Sequence, residues 1–413
     1  MKRLSQRVSA RKLVVGVEPS ASGHRLAYAK AFLRVLSHQG AYQYILFTSD
    51  HEADHPAVKE LCKDPNLEVD IRLIPRGELA ILRTARPKLA NLAWSSFKRL
   101  RLYQRLIDTL EFEPYLVFST HLDDLWPAIA VHADRLGNFT GVFMRTRFHW
   151  AEMGVEAPVR HFESVNKILM RRLLRHSRLP FMTFDPTFAK YVETHWTELA
   201  EQMLFLPDPI FGPIFDRDQA RKALGIIDQG FVMTVMGLSE RKGVSLLRRI
   251  IDDGQWPGHW SLLFAGGDAG TVGSVLTHCH ASGVRTHVMP GYLTEEAWMH
   301  CICASDLVWA VYPDHVGPSG VLANAEYVGR PVIAWHRGLM AHQIKNGTPG
   351  YLVGSIVDIV NLLRSYGVIH RGKQFPGDSV SKRNGSSSFS STVTTVRERA
   401  DTIWTTQHAG SCF

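Results

Sequence analysis

The chain has 413 residues, of which 45% are hydrophobic and 21% charged, and a formal net charge of +8 at pH 7. This length is too great for one compact core and predicts two domains of roughly 150–200 residues each, with a composition typical of globular proteins. No run reaches the about 18 apolar residues that a transmembrane helix needs, and the positive charge favours anionic partners such as nucleotides or phospholipid surfaces.

The basic N-terminus contains only a short apolar run, Leu13–Val17, whereas a signal peptide needs a longer one. We therefore expect this run to be the first strand of a folded domain. Five scattered cysteines fit a reducing compartment, and His278-Cys279-His280 and Cys301-Ile302-Cys303 lack the usual spacing of zinc ligands. The sequence predicts a cytoplasmic protein without a bound metal.

Apolar runs typical of strands alternate with helical stretches along the chain, which predicts α/β units built on parallel sheets. Strands are expected in the first half at Leu13–Val17, Tyr44–Thr48, Glu68–Leu73, Tyr115–Ser119, Gly141–Phe143 and Phe181–Phe184. In the second half they are expected at Phe231–Met236, Leu262–Ala265, Arg285–Met289, Leu307–Val311 and Pro331–Ala334. Helices are expected at Arg25–His38, Leu122–Leu136, Gly243–Asp252, Val272–Ser282, Glu295–Ala304 and Gly320–Val328.

A proline-rich stretch, LPDPIFGPIF at 206–215, can continue neither a helix nor a central strand and is expected to link two domains. The expected domains are then 1–205 and 216–370. The remaining residues, 371–413, are rich in Gly, Ser and Lys up to Ser391, which predicts a flexible segment before a last helix near Thr392–Thr405.

Two basic segments, Arg83–Arg105 and Arg160–Arg178, are amphipathic and contain aromatic residues. Such helices can lie on an anionic membrane, but a solvated helix face beside a buried apolar stripe explains the pattern equally well. No nucleic-acid-binding module accompanies the charge, so nucleic acid is not an expected partner.

The most informative stretch is Asp314–His336, which predicts a glycine-containing turn, a helix and a short apolar strand. A turn of small residues before a helix gathers free backbone N–H groups at the positive end of the helix dipole, where a phosphate can bind. Upstream, Val232–Gly243 predicts a strand followed by a turn with two adjacent cations. Together the two segments predict the two sides of a diphosphate site.

Four motifs of the second half resemble, in order, the nucleotide-sugar domain of glycosyltransferase family 4, which has the GT-B fold. They are VMTVMGLSERKGVSLL, LLFAGGD, GYLTEEAWMHCICASDLVWAVY and GPSGVLANAEYVGRPVIA, all between Phe231 and Ala334. The resemblance implies two Rossmann-like domains facing each other across a cleft. It also implies sugar transfer from a nucleotide-diphosphate sugar, without metal or other cofactor and with retention of anomeric configuration. The expected acceptor is a glycan or lipid-linked saccharide at the inner face of a bacterial membrane.

By the same resemblance Lys242 and Arg241 would stabilise the leaving diphosphate, and His121 would orient the sugar or take part in proton transfer. Further residues are expected to bind the donor: Gly23, His24, Gly237, Gly291, Tyr292, Gly317, Pro318, Ser319, Gly320, Val321 and Asn324. Plain structural roles compete with these assignments. Ser319 could be an ordinary helix cap, His121 a structural histidine, and Tyr292 a core residue.

The chain departs from the carboxylate pattern of the family at two positions. The family has two glutamates eight residues apart, and counting back from Gly329-Arg330-Pro331 places Val316 and Asn324 there. Asn324 can still bond hydroxyl groups. The departure motivates one alternative, a non-catalytic GT-B protein that binds a nucleotide sugar or a partner transferase. A nucleotide-sugar epimerase is a second alternative with the same fold.

Overall fold

A computed structural model of the chain describes residues 12–20, 25–38, 42–49, 54–79, 89–132, 137–158, 162–209, 212–227, 230–267, 269–369 and 385–409. These residues form two compact units. The first comprises Met1–His149, Arg160–Pro207 and Ser386–Phe413, and the second comprises Trp150–Val159 and Asp208–Gly385. Each unit is built on one parallel sheet, which confirms the predicted α/β fold class with two Rossmann-like units.

The first sheet has the strand order β3-β2-β1-β4-β5-β6-β7. Its strands are β1 Lys12–Val17, β2 Tyr42–Ser49, β3 Val69–Ile74, β4 Leu116–Ser119, β5 Phe139–Phe143, β6 Phe181–Thr183 and β7 Met203–Phe205. The short strand β7 was not predicted. It lies at the edge of the sheet and has only three residues, too few to show a periodic pattern.

The second sheet has the order β10-β9-β8-β11-β12-β13, so both units repeat the same Rossmann-like strand order. Its strands are β8 Phe231–Leu238, β9 Trp260–Gly267, β10 Arg285–Met289, β11 Leu307–Ala310, β12 Val332–Trp335 and β13 Gly350–Val353. Strand β11 is buried at every position, as expected for a central parallel strand covered on both faces. The four-residue edge strand β13 was also missed.

Helices cover the sheets. In the first unit they are Arg25–Ser37, Pro56–Cys62, Arg76–Leu79, Leu89–Asp108, Trp126–Ile129, Glu163–His176, Pro186–His195 and Gly385–Ala409. In the second they are Arg217–Ala223, Val244–Asp252, Ala269–Ala281, Glu295–Cys303, Gly320–Tyr327, Leu339–Lys345 and Ile356–Ile369. Among the described residues, no helix is both long and apolar enough to cross a membrane.

One predicted helix was too long. The structure has only Trp126–Ile129 in place of Leu122–Leu136, of which residues 133–136 lie outside the described ranges. Pro127 stands in the first turn of the short helix. Proline has no N–H and its ring clashes with the carbonyl four residues earlier, so a helix containing Pro127 cannot begin much upstream of it.

The last helix begins at Gly385, earlier than predicted, so residues 385–391 are helical rather than part of a flexible segment. The rest of that segment up to residue 384 lies outside the described ranges. The helix packs on the first unit, where Tyr115 donates its hydroxyl to the carbonyl of Arg397 at 3.1 Å and stacks edge-on against Trp404. The predicted terminal segment therefore contributes to the unit that contains β1.

A buried ion cluster ties together the amino-terminal edge of the second sheet. The fully buried Asp306 precedes β11 and pairs with Arg221 at 2.6 Å and Arg217 at 2.8 Å. It also accepts a hydrogen bond from the backbone N–H of Val232 at 2.7 Å, at the start of β8. The cluster lies at the edge of the sheet opposite the strand ends discussed below, so we assign it a structural role.

Candidate functional site

Ligands of open α/β sheets bind at the carboxyl ends of the strands, where the strand order reverses. In the second unit this switch point lies between β8 and β11, which are adjacent in the sheet. The loop after β8 contains Arg241 and Lys242, and the chain after β11 leads into Gly317–Gly320. The two segments that the sequence predicted for a diphosphate therefore start from neighbouring strands.

The side chain of Lys242 turns back onto the backbone of β8. Its Nζ donates to the carbonyl of Met236 at 2.8 Å. A Cβ on Gly237 would lie 2.7 Å from the same Nζ, and the φ of 60° at Gly237 is in the left-handed region that favours glycine. Gly237 therefore shapes the position of Lys242, in addition to its predicted place in the donor site.

The charge of Lys242 is poorly compensated within the protein. Burial, with a smaller contribution from the neighbouring Arg241 cation, lowers the pKa of the Lys242 ammonium to about 8. Among the described residues no carboxylate pairs with it, and its Nζ donates to a neutral carbonyl. A desolvated cation without a counter-charge favours the binding of an anion. Groups with shifted pKa values are also common at functional sites.

The turn that contains Lys242 packs against the end of β11. Gly243 has φ 78°, and a Cβ there would lie 2.2 Å from the carbonyl oxygen of Val311 at the end of β11. The indole N–H of Trp309 donates to the carbonyl of Lys242 at 2.9 Å. A side chain at position 243 would clash with the Val311 carbonyl, so glycine is required for the turn to keep this position.

The second segment presents an uncapped helix start. Ser319 has the extended conformation of an N-cap residue, yet its side chain makes no capping hydrogen bond to the helix Gly320–Tyr327. The turn before it is held by a contact of 2.9 Å between His315 Nε2 and the carbonyl of Pro318. The simple capping role that competed with phosphate binding is thus not realised, and the first-turn N–H groups remain available to an anion.

Two predicted donor-binding residues of this helix have buried side chains. Val321 packs into the main core of the second unit, so only its backbone can meet a ligand. Asn324 is fully buried, and its Nδ2 donates to the carbonyl of Gly320 at 2.8 Å. The Asn324 side chain therefore supports the first turn of the helix in this structure.

Glycines converge at the ends of β8, β9 and β10. A Cβ on Gly266 would lie 3.4 Å from the carbonyl oxygen of Gly291 and 3.9 Å from the Cα of Gly237. Tyr292, next to Gly291, is 42% exposed and so is not the core residue that competed with its binding role. Gly266 was missed as a site residue, although its motif LLFAGGD was noted, because sequence does not show which loops meet.

The first unit has a polar cluster at its own switch point, between β1 and β4. His121, just after β4, is 8% exposed, and its Nε2 lies 3.4 Å from a carboxylate oxygen of Asp123. Burial lowers the pKa of His121, although Asp123 opposes that shift. The buried Glu18, after β1, accepts a hydrogen bond from Thr120 and was not predicted. Gly23 and His24 lie outside the described residues.

Comparison with known proteins gave matches among solved structures only. No sequence family and no curated protein matches the chain. Sucrose-phosphate synthase from Thermosynechococcus elongatus is similar with a TM-score of 0.59 and 14% identity, over 97% of this chain and 99% of that one. Anabaena HepE, solved with UDP and glucose, has a TM-score of 0.58 and 16% identity, over 96% and 100%.

The catalytic domain of starch synthase IV from Arabidopsis thaliana, solved with ADP and acarbose, has a TM-score of 0.54 and 12% identity, over 95% and 99%. Such low identities show a shared fold and leave activity open. Both sheets of the chain have the Rossmann-like order, and the likeness extends over nearly its whole length. The protein therefore has the GT-B fold of glycosyltransferases, as its sequence motifs predicted.

Proposed function

We propose that the protein is a glycosyltransferase that moves a sugar from a nucleotide-diphosphate sugar to an acceptor hydroxyl. One observation carries the proposal: the partly buried ammonium of Lys242, which pairs with no described carboxylate, stands at the switch point of the second sheet. The uncapped start of the helix Gly320–Tyr327 follows the neighbouring strand of that switch point. Two of the similar structures were solved with UDP and glucose and with ADP and acarbose, which supports a nucleotide ligand.

In the proposed reaction the bond between the sugar's anomeric carbon and the diphosphate oxygen breaks, and its electron pair stays with the diphosphate. Lys242, Arg241 and the N–H groups of Gly317, Ser319 and Gly320 would stabilise the growing negative charge. Fixed donors at a developing charge favour the transition state over the ground state. The acceptor hydroxyl attacks the anomeric carbon, and a β-phosphate oxygen takes its proton. Retention and independence of metal follow from the resemblance to family 4.

The remaining predicted residues receive supporting roles. Gly237, Gly266 and Gly291 would allow the nucleoside to approach the strand ends closely, with Tyr292 beside it. Pro318 would shape the turn, and Asn324 would hold the carbonyl of Gly320. His121 is the proposed catalytic group of the first unit, because burial favours its neutral form, which can both accept and donate a proton.

The proposed acceptor is a glycan or lipid-linked saccharide, met at the cytoplasmic face of a membrane. Support comes from two helices of the first unit, which carry exposed apolar side chains together with cations. Trp94 is 58% exposed on the helix Leu89–Asp108, and Ile168 is 69% exposed on the helix Glu163–His176. Exposed apolar and basic groups on one helix are typical of contact with anionic membranes.

A non-catalytic nucleotide-sugar-binding protein is the second candidate. It is favoured by the apolar Val316 and the buried Asn324, which stand where family 4 has glutamates. A nucleotide-sugar epimerase would need a pair of acid and base carboxylates at the site, and the sequence marks no clear pair.

Thermal shift and turnover together separate these candidates. Melting temperatures would be measured with UDP-, GDP- and ADP-sugars, and hydrolysis or transfer would then be assayed with each stabilising donor. We expect one nucleotide class to stabilise the protein and its sugar to be released or transferred. Stabilisation without turnover of any donor would instead establish the binding protein, and a donor epimer as the product would establish the epimerase.

The lowered pKa of Lys242 predicts that donor binding weakens at alkaline pH. The ammonium is protonated below about pH 8 and loses its charge as the pH rises further. The dissociation constant of a nucleotide-diphosphate sugar, whose phosphates do not titrate in this range, should therefore be constant from pH 6.5 to 7.5. Between about pH 8 and 9.5 it should rise by roughly tenfold. A flat profile for the wild type would contradict a direct contact between Lys242 and the diphosphate.

A further inference from the structure

A short segment of the first half of the chain belongs to the second unit. Residues 150–158, which we call the strap, are grouped with the second unit, although the residues on both sides of it belong to the first. The strap begins with a turn in which the N–H groups of Met153 and Val155 donate to the carbonyl of Trp150 at 3.1 Å and 2.9 Å. This placement was not predicted, because the expected first domain ran without interruption to residue 205.

The strap closes a small apolar cluster separate from the main core of the second unit. Its members are Trp150 and Val155 from the strap, with Val316 and Leu339, and all four are at most 5% exposed. The backbone N–H of Gly338 donates to the carbonyl of Glu156 at 2.7 Å. At the periphery, Lys345 Nζ lies 3.2 Å from a carboxylate oxygen of Glu156.

Val316 connects the strap to the proposed donor loop, because it contacts the strap and precedes the loop in the sequence. It directly precedes Gly317–Gly320, and its carbonyl accepts the backbone N–H of Leu339 at 2.8 Å. On one side, a Cβ on Gly338 would lie 2.7 Å from the Cα of Val316. On the other, Val316 packs in the cluster with Trp150 and Val155. Val316 is thus packed on both sides, which restricts the backbone directly before the loop.

This packing also explains why the family's glutamate is absent at position 316. A carboxylate there would be buried among the apolar side chains of Trp150, Val155 and Leu339, where it would lose its hydration. An apolar residue is required by the strap. The departure from family 4 is therefore linked to a structural element of this chain rather than to a simple loss of function.

We propose that the strap positions the Gly317–Gly320 loop for the donor, with Trp150 and Val155 acting through Val316 as positioning residues. The inference rests on the proposed function, because it assigns that loop to the donor diphosphate. Truncating Val155 loosens the cluster, so the loop samples conformations in which its N–H groups no longer converge. Donor binding then weakens, although neither strap residue is proposed to touch the donor.

The experiment compares Val155→Ala with Val360→Ala. Val360 is a matched control, because it is a valine of the second unit, 4% exposed against 3% for Val155, and lies on the helix Ile356–Ile369. We expect Val155→Ala to raise the dissociation constant of UDP or the preferred nucleotide by about 3–10-fold. It should also speed hydrogen exchange at the Gly317, Ser319 and Gly320 amides, whereas Val360→Ala should change neither property.

Equal dissociation constants and equal exchange rates in the two variants would overturn the proposal. A wild type that binds no nucleotide would refute the proposed function instead, and amide exchange would still show whether the strap holds the loop. Val316→Ala provides a second test, because Val155 and Val316 lose the same contact. Their combined effect on exchange should be smaller than the sum of the single effects.

Discussion

Replacing Lys242 by methionine is expected to lower kcat for sugar transfer or donor hydrolysis by about 10²–10³-fold. The substitution keeps the length of the side chain and removes only the ammonium that donates to the Met236 carbonyl beside Gly237. The proposed transition state leaves negative charge on the diphosphate, and Lys242 is a partly buried cation at this switch point that pairs with no described carboxylate. Initial rates at saturating donor measure the effect, with Lys222→Met on an exposed position of the second unit as the control.

The same substitution should leave the protein as stable as the wild type, or more stable. Burial lowers the folded-state pKa of Lys242 below its ordinary value, so the unfolded chain holds this proton more tightly. The resulting destabilisation is fully present below about pH 8 and is relieved as the pH rises toward the unfolded pKa. Methionine removes it at every pH. A variant that lost activity only in parallel with a lower melting temperature would contradict a catalytic role.

Replacing Asp306 by alanine is expected to lower the free energy of unfolding of the second unit by about 3–5 kcal/mol. The substitution leaves the Arg221 side chain, which is only 5% exposed, without its carboxylate partner. It also removes the acceptor for the buried N–H of Val232. Urea titration followed by tryptophan fluorescence measures the loss, since Trp260 and Trp309 lie in the core of that unit.

Asp218→Ala is the matched control for this prediction. The side chain of Asp218 is 93% exposed and lies 3.9 Å from Arg217, another member of the Asp306 cluster. An exposed pair of this kind contributes little, so the control should change the free energy of unfolding by less than about 0.5 kcal/mol. Similar losses in the two aspartate variants would show that the buried cluster contributes no more than a surface ion pair.

The sequence predicted the fold well where burial leaves a strong pattern. Central strands such as β8 and β11 are covered on both faces and therefore read as continuous apolar runs. The short edge strands β7 and β13 leave no comparable pattern. The prediction of a helix at Leu122–Leu136 was wrong in length. It followed the local apolar periodicity and gave too little weight to Pro127.

The candidate site was predictable where it depends on local sequence. The cations after β8 and the glycine turn before the helix Gly320–Tyr327 can be recognised by motif. Contacts between distant parts of the chain could not be predicted this way. Neither the packing of Val316 beneath Trp150 nor the approach of Gly266 to Gly291 has a local signature. The same limit explains why Glu18, which meets Thr120 only in the folded first unit, was missed.

The interrupted course of the chain through its two units has a consequence for synthesis on the ribosome. The first unit needs the helix Gly385–Ala409, in which Val393, Val396 and Ala400 are fully buried, so it cannot be completed until that helix has emerged. A fragment starting at residue 208 would lack the strap and would expose Val316 and Leu339 to water. Cutting the gene at the proline-rich linker should therefore yield two fragments that fold poorly alone and recover when co-expressed.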